Sequence, residues 1–195
     1  MARTEPNPDV LNGREVLVGV SGGIAAYKAA ALVSRLVQAG AATSVVMTEH
    51  AARFVGPLTF QALTGRTVHM DQFAAPEVYH ADHIALADRA EIVVVAPATA
   101  NCLGKLAHGI ADDLLSTVLL AVECPVFLAP AMNVRMWAHP AVRANVKVIE
   151  SRGVHFEGPE EGRLACGAAG PGRMAEPETI LAAILEILQG RKGGT

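Results

Sequence analysis

Aromatic residues are scarce: Phe, Tyr and Trp make up 4% of the 195 residues. A chain this poor in flat side chains has no ladder of rings on which bases could stack. Its formal net charge of -3, with Lys and Arg scattered, offers no electrostatic track for a phosphate backbone. A nucleic-acid partner is therefore not expected. Cysteine is scarce as well: Cys102, Cys124 and Cys166 stand at unrelated spacings, with no CxxC pair and no His/Cys cluster of zinc spacing. Neither a disulfide framework nor a structural metal is expected, and a reducing, cytoplasmic location is. No apolar run approaches the roughly 18 residues that cross a bilayer, and MARTEPNPDVLNGRE at the start lacks the apolar stretch of a signal peptide. No membrane partner is expected, and a small molecule is. What is present is a globular composition, 51% hydrophobic and 18% charged, enough for one domain with a sizeable core.

Short apolar runs alternate with longer helical patterns from Val16 onward, as in a parallel sheet covered by helices. Val16 to Val20, Ser44 to Thr48, Ile92 to Ala96 and Pro125 to Ala129 are β-rich, continuously apolar and bounded by turn residues, as strands buried on both faces are. Val154 to Phe156 is a weaker fifth candidate. Ala29, Leu32, Val33, Leu36 and Val37 recur at helical spacing before a stop at Gly40. ADDLLSTVLLA (residues 111–121) and PETILAAILEIL (177–188) read as further helices, the latter with a favourable Pro177 in its first turn. His139, before Pro140, reads as a residue that opens a helix. LACGAAGPGRM, Leu164 to Met174, is too glycine-rich for a helix and too poor in alternation for a strand, so a pliable loop is expected. The fold expected is a single doubly wound, Rossmann-like or flavodoxin-like α/β domain over residues 13–190, between loose tails at 1–12 and 191–195.

In open α/β sheets ligands bind beyond the carboxyl ends of the strands, so the residues following each strand carry the functional reading. After the first comes SGGI, Ser21, Gly22, Gly23 and Ile24, where the glycines let backbone N–H groups approach a ligand and the next helix N-terminus favours an anion. Neither G-x-G-x-x-G nor GxxxxGK[ST] is present, so a plain strand-to-helix turn is the competing reading. Thr48 follows the second strand. Ala98, Thr99, Ala100 and Asn101 follow the third, and PAMN, with Ala131 and Asn133, follows the fourth. These small and hydroxyl residues leave room for a flat ring and offer hydrogen bonds to its edges; capping of the following helices is the alternative.

His83, in HADHIAL with His80 nearby, is the histidine closest to a strand end in an apolar setting, where a structural and an acid–base role both remain open. Cys166 is either a small buried thiol or an accessible one, and a glycine-rich loop favours the accessible reading. Cys102 and Cys124 read as packing residues. Lys28 and Arg173 are candidate phosphate partners, against the commoner fate of a lone basic residue at the surface.

Together the blocks LNGREVLVGVSGGIAAYK, HIAL, APATANCLGKLAHGIADDLLST, PAMN and ACGAAGPGRM resemble the flavin-dependent cysteine decarboxylase family, in that family's order and over nearly the whole chain. The resemblance implies FMN at the strand ends, near Ser21, Gly22, Gly23, Ile24, Thr48, Ala98, Thr99, Ala100, Asn101 and Ala131. It implies His83 as the catalytic histidine, Asn133 on the substrate carboxylate and Cys166 in a substrate clamp, with no metal. The substrate it implies is phosphopantothenoylcysteine, decarboxylated to phosphopantetheine in coenzyme A synthesis. A cysteinyl carboxylate cannot lose carbon dioxide until its carbanion has an electron sink. Oxidation of the thiol to a thioaldehyde creates one, and the flavin takes up and later returns the hydride. The glycines would let the loop close as a lid with Cys166 as its proton donor. The family also implies a trimer or a dodecamer of trimers with the flavin between neighbouring copies, and a phosphopantothenoylcysteine synthetase that is either fused or separate. GPLTFQALTG and VRMW are candidate interface segments. Peptidyl-cysteine decarboxylases, flavin prenyltransferases and regulatory flavoproteins of the same fold are the alternatives. So is an ordinary nucleotide-binding enzyme, which has Glu49 in its favour but lacks the glycine fingerprint.

Overall fold

The computed structural model describes residues 10–73, 82–165, 167 and 169–191. Its centre is a parallel sheet of β1 (Glu15–Val20), β2 (Ala42–Met47), β3 (Ile92–Ala98), β4 (Val126–Pro130) and β5 (His155–Phe156), in the order β2-β1-β3-β4-β5. That order is flavodoxin-like, and it places the topological switch point between β1 and β3, where Val16 pairs with Thr43 on one side and with Ile92 on the other. All seven residues of β3 are buried, as its run of β-branched residues requires of a strand covered on both faces.

Alternate residues of β1 serve opposite cores, because successive side chains of a strand point to opposite faces. Val16, Val18 and Val20 pack with α1 (Ala26–Gln38), α2 (Pro57–Thr64) and α8 (Pro177–Arg191). Leu17 joins the other layer, with α3 (Asp82–Arg89), α4 (Ala100–His108), α5 (Leu114–Ala121) and α7 (Pro140–Ser151). Gly19 sets the height of that layer. A Cβ there would meet Leu115 Cδ1 at 2.5 Å, so α5 lies as close to the sheet as it does because β1 has no side chain beneath it.

Local chemistry fixes the helix ends. Thr99 caps α4 by accepting from the Cys102 N–H, and Asp113 and Ser116 form a reciprocal capping box at α5, each cap contributing about 1 kcal/mol. The box starts α5 at Leu114, which leaves 111–113 outside the expected helix. His139 caps α7 ahead of Pro140, accepting from Ala141 N–H at Nδ1. A five-residue α6 (Val134–Ala138) precedes it.

Two expectations need correction. Val10 and Leu11, read as part of a loose tail, are 6% and 0% exposed and belong to the core beside α1 and α8; two apolar residues sufficed, too few for periodicity to reveal. The expected loop at 164–174 contains β7 (Ala169–Arg173), paired antiparallel with β6 (Glu160–Arg163). Glycine at 170, with φ of 142°, and Pro171 hide the strand from any propensity reading. The hairpin instead draws its stability from cross-strand pairing and from the surface beneath it.

At the amino ends of the strands, Arg66 binds both oxygens of Glu15 at 2.7 and 2.9 Å, and the Arg66 hydrogen bond holds the Glu15 carboxyl below its ordinary range. Burial would raise Asp113, but Lys105 and the Ser116 N–H outweigh it and hold that group low too. A carboxylate whose folded pKa is depressed stabilises the fold above its ordinary pKa, and the contribution disappears as pH falls through the folded value. The melting temperature is therefore expected to stay level from about pH 7 to about pH 5 and to fall steeply below about pH 4. A melting temperature unchanged at about pH 3 would show that these pairs contribute nothing.

Candidate active site

A cavity of about 1100 Å³ opens at the carboxyl ends of β1 to β4. Small-molecule sites run to about 1,000 Å³, so there is room for more than one ligand. Ten sequence-predicted residues line it: Ser21, Gly22, Gly23, Ile24, Thr48, Thr99, Ala100, Asn101, Ala131 and Asn133. Ala98 does not. It is fully buried at the end of β3, and its carbonyl accepts from Ala131 N–H at 3.1 Å, tying the third strand end to the fourth. His83, half-buried in the first turn of α3, is also absent from the lining. Cys166 lies outside the described residues, as does His80.

The β1 turn is built by packing. Ser21 is buried, and its hydroxyl donates to the Pro97 carbonyl at 2.7 Å and accepts from Thr99 N–H at 3.1 Å. The serine thus pins the β1 and β3 turns together, and the backbone of the following residues forms the wall. A Cβ on Gly22 would meet His50 Cβ at 2.4 Å and the His50 carbonyl carbon at 3.0 Å, whereas one on Gly23 would come no nearer than 3.5 Å to Thr99. Gly22→Ala is therefore expected to push back the β2 turn and to cost about 1–3 kcal/mol, with Gly23→Ala costing less. Paired melting curves test this, and equal losses would contradict it. The helix that follows, α1, has Ala25 at its cap position, no side-chain cap and no acidic residue in its first turn, so its positive end faces the cavity without compensation.

The fourth strand end supplies another part of the cavity wall. Asn133 caps α6, Oδ1 accepting from Arg135 N–H at 2.8 Å, which fixes the side chain's rotation. The β6–β7 hairpin lies directly on this turn. Met132 N–H donates to the Gly172 carbonyl at 3.0 Å, and a Cβ on Gly172 would sit 2.3 Å from the Met132 carbonyl oxygen, so only glycine permits the contact. At its base the hairpin is held by Lys28, whose Nζ donates to the Met174 carbonyl at 3.0 Å and to Glu176 at 2.9 Å. Arg173 pairs with the same Glu176 oxygen, and the Lys28 hydrogen bond in particular holds that carboxyl below its ordinary range. Lys28 and Arg173 line the cavity, both ion-paired to the one Glu176 carboxylate.

Sequence reasoning missed an ionic cluster on the opposite wall. Lys105, only 16% exposed, lies 2.6 Å from Asp112 and 2.7 Å from Asp113. Burial would lower this lysine, but both carboxylates outweigh it and hold it charged. The signal was a lysine and an Asp-Asp pair across the HGIADD turn, which joins α4 to α5. Beside it Cys102 is 8% exposed, and burial, then the Asp113 charge, pushes its thiol up to about 12. It is a packing residue with no thiolate to offer. The described residues contain no group of three or more His, Cys, Asp or Glu able to hold a metal ion.

The sequence matches the family profile described as Flavoprotein over residues 4–189. It is 57% identical over 172 residues to the coenzyme A biosynthesis bifunctional protein CoaBC of Bacillus subtilis, covering 88% of this chain and 42% of that protein. The CoaBC of Mycolicibacterium smegmatis is 47% identical over 167 residues, covering 86% and 40%. The chain thus spans about two fifths of the length of these curated relatives. Among solved structures, the FMN-dependent cysteine decarboxylase SpaF superposes with a TM-score of 0.79 at 34% identity, over 94% of this chain and 99% of that one. A cysteine-to-serine variant of PPC decarboxylase complexed with pantothenoylaminoethenethiol gives 0.81 at 29% identity, over 92% and 100%. With a profile matched along almost its whole length and a flavodoxin-like sheet beneath the matched blocks, the chain belongs to the flavoprotein family.

Proposed function

We propose that this protein catalyses the FMN-dependent decarboxylation of phosphopantothenoylcysteine to phosphopantetheine and carbon dioxide, a step of coenzyme A synthesis. The observation that carries this reading is the convergence of the SGGI, PATAN and PAMN turns and the β6–β7 hairpin on one cavity. The chain's 57% identity to a coenzyme A biosynthesis protein supports the choice of substrate, as does the pantothenoyl ligand held by its structural neighbour.

The residues fit the cofactor. The uncapped end of α1 and the Gly22–Gly23 turn suit a phosphate, while Thr99, Ala100 and Ala131 present small side chains to a flat ring. FMN, when bound, supplies the hydride acceptor and donor that let the substrate thiol be oxidised before carbon dioxide leaves and reduced afterwards. The protein's own groups do the rest. The Asn133 amide is a hydrogen-bond donor suited to the substrate carboxylate, His83 moves the proton of the thiol oxidation, and Cys166, between β6 and β7, returns a proton at the end.

His83 takes part through a second copy of the chain. Within one chain it does not line the cavity, while Ile24 and Tyr27 do line it and are 61% and 62% exposed, with Leu58 on α2 at 74%. Apolar residues so exposed around a ligand cavity are the mark of a face that a neighbour covers. The assembly we propose is a trimer, or a dodecamer of trimers, each site completed by the adjacent copy's α3. The location that goes with this reading is the cytoplasm. Its substrate requires a phosphopantothenoylcysteine synthetase, fused or separate, to supply it.

A spectrum of the purified, FMN-loaded protein followed by mass analysis after addition of phosphopantothenoylcysteine tests the proposal. Oxidised-flavin bands with formation of phosphopantetheine are expected. Flavin bands with the substrate untouched would overturn the substrate and leave a peptidyl-cysteine decarboxylase or a regulatory flavoprotein of this fold.

A further inference from the structure

Phosphopantothenoylcysteine and FMN each carry a phosphate, so a cavity that takes both must compensate two strongly anionic groups. Four lysine or arginine side chains line it, and three are already ion-paired within the chain. Lys28 and Arg173 share Glu176, and Lys105 is held between Asp112 and Asp113. Glu49, also in the lining, lies 3.8 Å from Arg53. The fourth is Arg163, the last residue of β6, whose side chain has no ion-pair or hydrogen-bond partner among the described residues. Positive character in the cavity lining that no carboxylate contacts therefore stands in two places: the α1 turn, which suits the cofactor, and Arg163.

Resting on the decarboxylase reading above, we propose that Arg163 recognises the terminal phosphate of the substrate and so determines the preference for phosphorylated over unphosphorylated pantothenoylcysteine. The guanidinium suits this task because its planar fork donates two parallel hydrogen bonds to phosphate oxygens.

The experiment measures kcat/KM for phosphopantothenoylcysteine and for pantothenoylcysteine on FMN-loaded wild type, Arg163→Gln and Arg163→Lys. The ratio of the two values is expected to fall about 10- to 100-fold in Arg163→Gln, the size of a lost charge-assisted contact, and to be partly retained in Arg163→Lys. A ratio unchanged in Arg163→Gln overturns the proposal, whatever the change in absolute rate, because a merely structural defect lowers both substrates together. Loss of flavin absorbance in Arg163→Gln also overturns it, since the guanidinium would then be serving the cofactor. Calorimetry of phosphopantetheine against pantetheine on the same proteins reads the same ratio without turnover. Wild type that binds phosphopantetheine the more tightly but decarboxylates neither compound would overturn the function while the binding ratio still decides Arg163.

Discussion

His83→Asn is expected to abolish decarboxylation while leaving FMN bound. The side chain stands outside the cavity of its own chain, so its removal leaves the Gly22–Gly23 turn, the Ser21 pin and the α4 cap intact. Asparagine keeps a hydrogen-bonding amide at the start of the side chain but cannot take up or release a proton near neutral pH. Loss of a positioned acid–base group costs about 100- to 10,000-fold in rate, readable as carbon dioxide release per flavin. A variant that turns over at the wild-type rate removes His83 from the mechanism. The proposed sharing of sites between copies adds a sharper test. Mixing His83→Asn with Asn133→Ala subunits, each inactive alone, regenerates some sites in which an intact His83 faces an intact Asn133, so activity returns on subunit exchange. Mixtures that stay inactive, despite exchange seen by native mass spectrometry, argue that each chain completes its own site.

Cys166→Ser is expected to separate the two halves of the reaction. Carbon dioxide is still released, but the product leaves as the oxidised enethiol, about 2 Da lighter than the saturated thiol because one hydride and one proton are missing. A thiol has an ordinary pKa of about 8.5, whereas a serine hydroxyl holds its proton far more tightly and is a poor donor to a developing carbanion. The hairpin itself should survive the exchange. Its attachments are the Met132–Gly172 hydrogen bond and the Lys28 and Arg173 contacts to its base, none of which involves residue 166. Normal product from this variant would assign the final proton to another group.

These two residues also show how far the sequence could be read. β1 and β3 were legible because continuous β-branched runs have no other stable place than a doubly covered sheet, and the turns that follow them were legible because strand ends are where such sheets bind ligands. The β6–β7 hairpin was not, since Gly162, Gly170 and Gly172 are required by close approaches to Arg173, Val134 and the Met132 carbonyl, partners far away along the chain for the latter two. The lysine–aspartate cluster at Lys105 was missed for a related reason: a charged residue is usually solvated, and only the fold reveals one held inside a cavity wall. His83 was singled out by its neighbours in sequence, yet it stands outside the cavity of its own chain, a placement that no local pattern encodes.

The Lys28 contact links matters usually treated apart. One ammonium group, planted in the first turn of the helix whose N-terminus faces the cavity, reaches the foot of the β6–β7 hairpin. Loosening either end slackens the other, so substitutions in the β1 turn and in the hairpin should combine non-additively in a double-mutant cycle, although nothing on the two segments is adjacent in sequence. By the same linkage, a ligand that favours the anchored hairpin strengthens retention of the cofactor, and bound cofactor favours the anchored hairpin by an equal factor. A slow leak of cofactor from resting protein should then diminish as substrate saturates it.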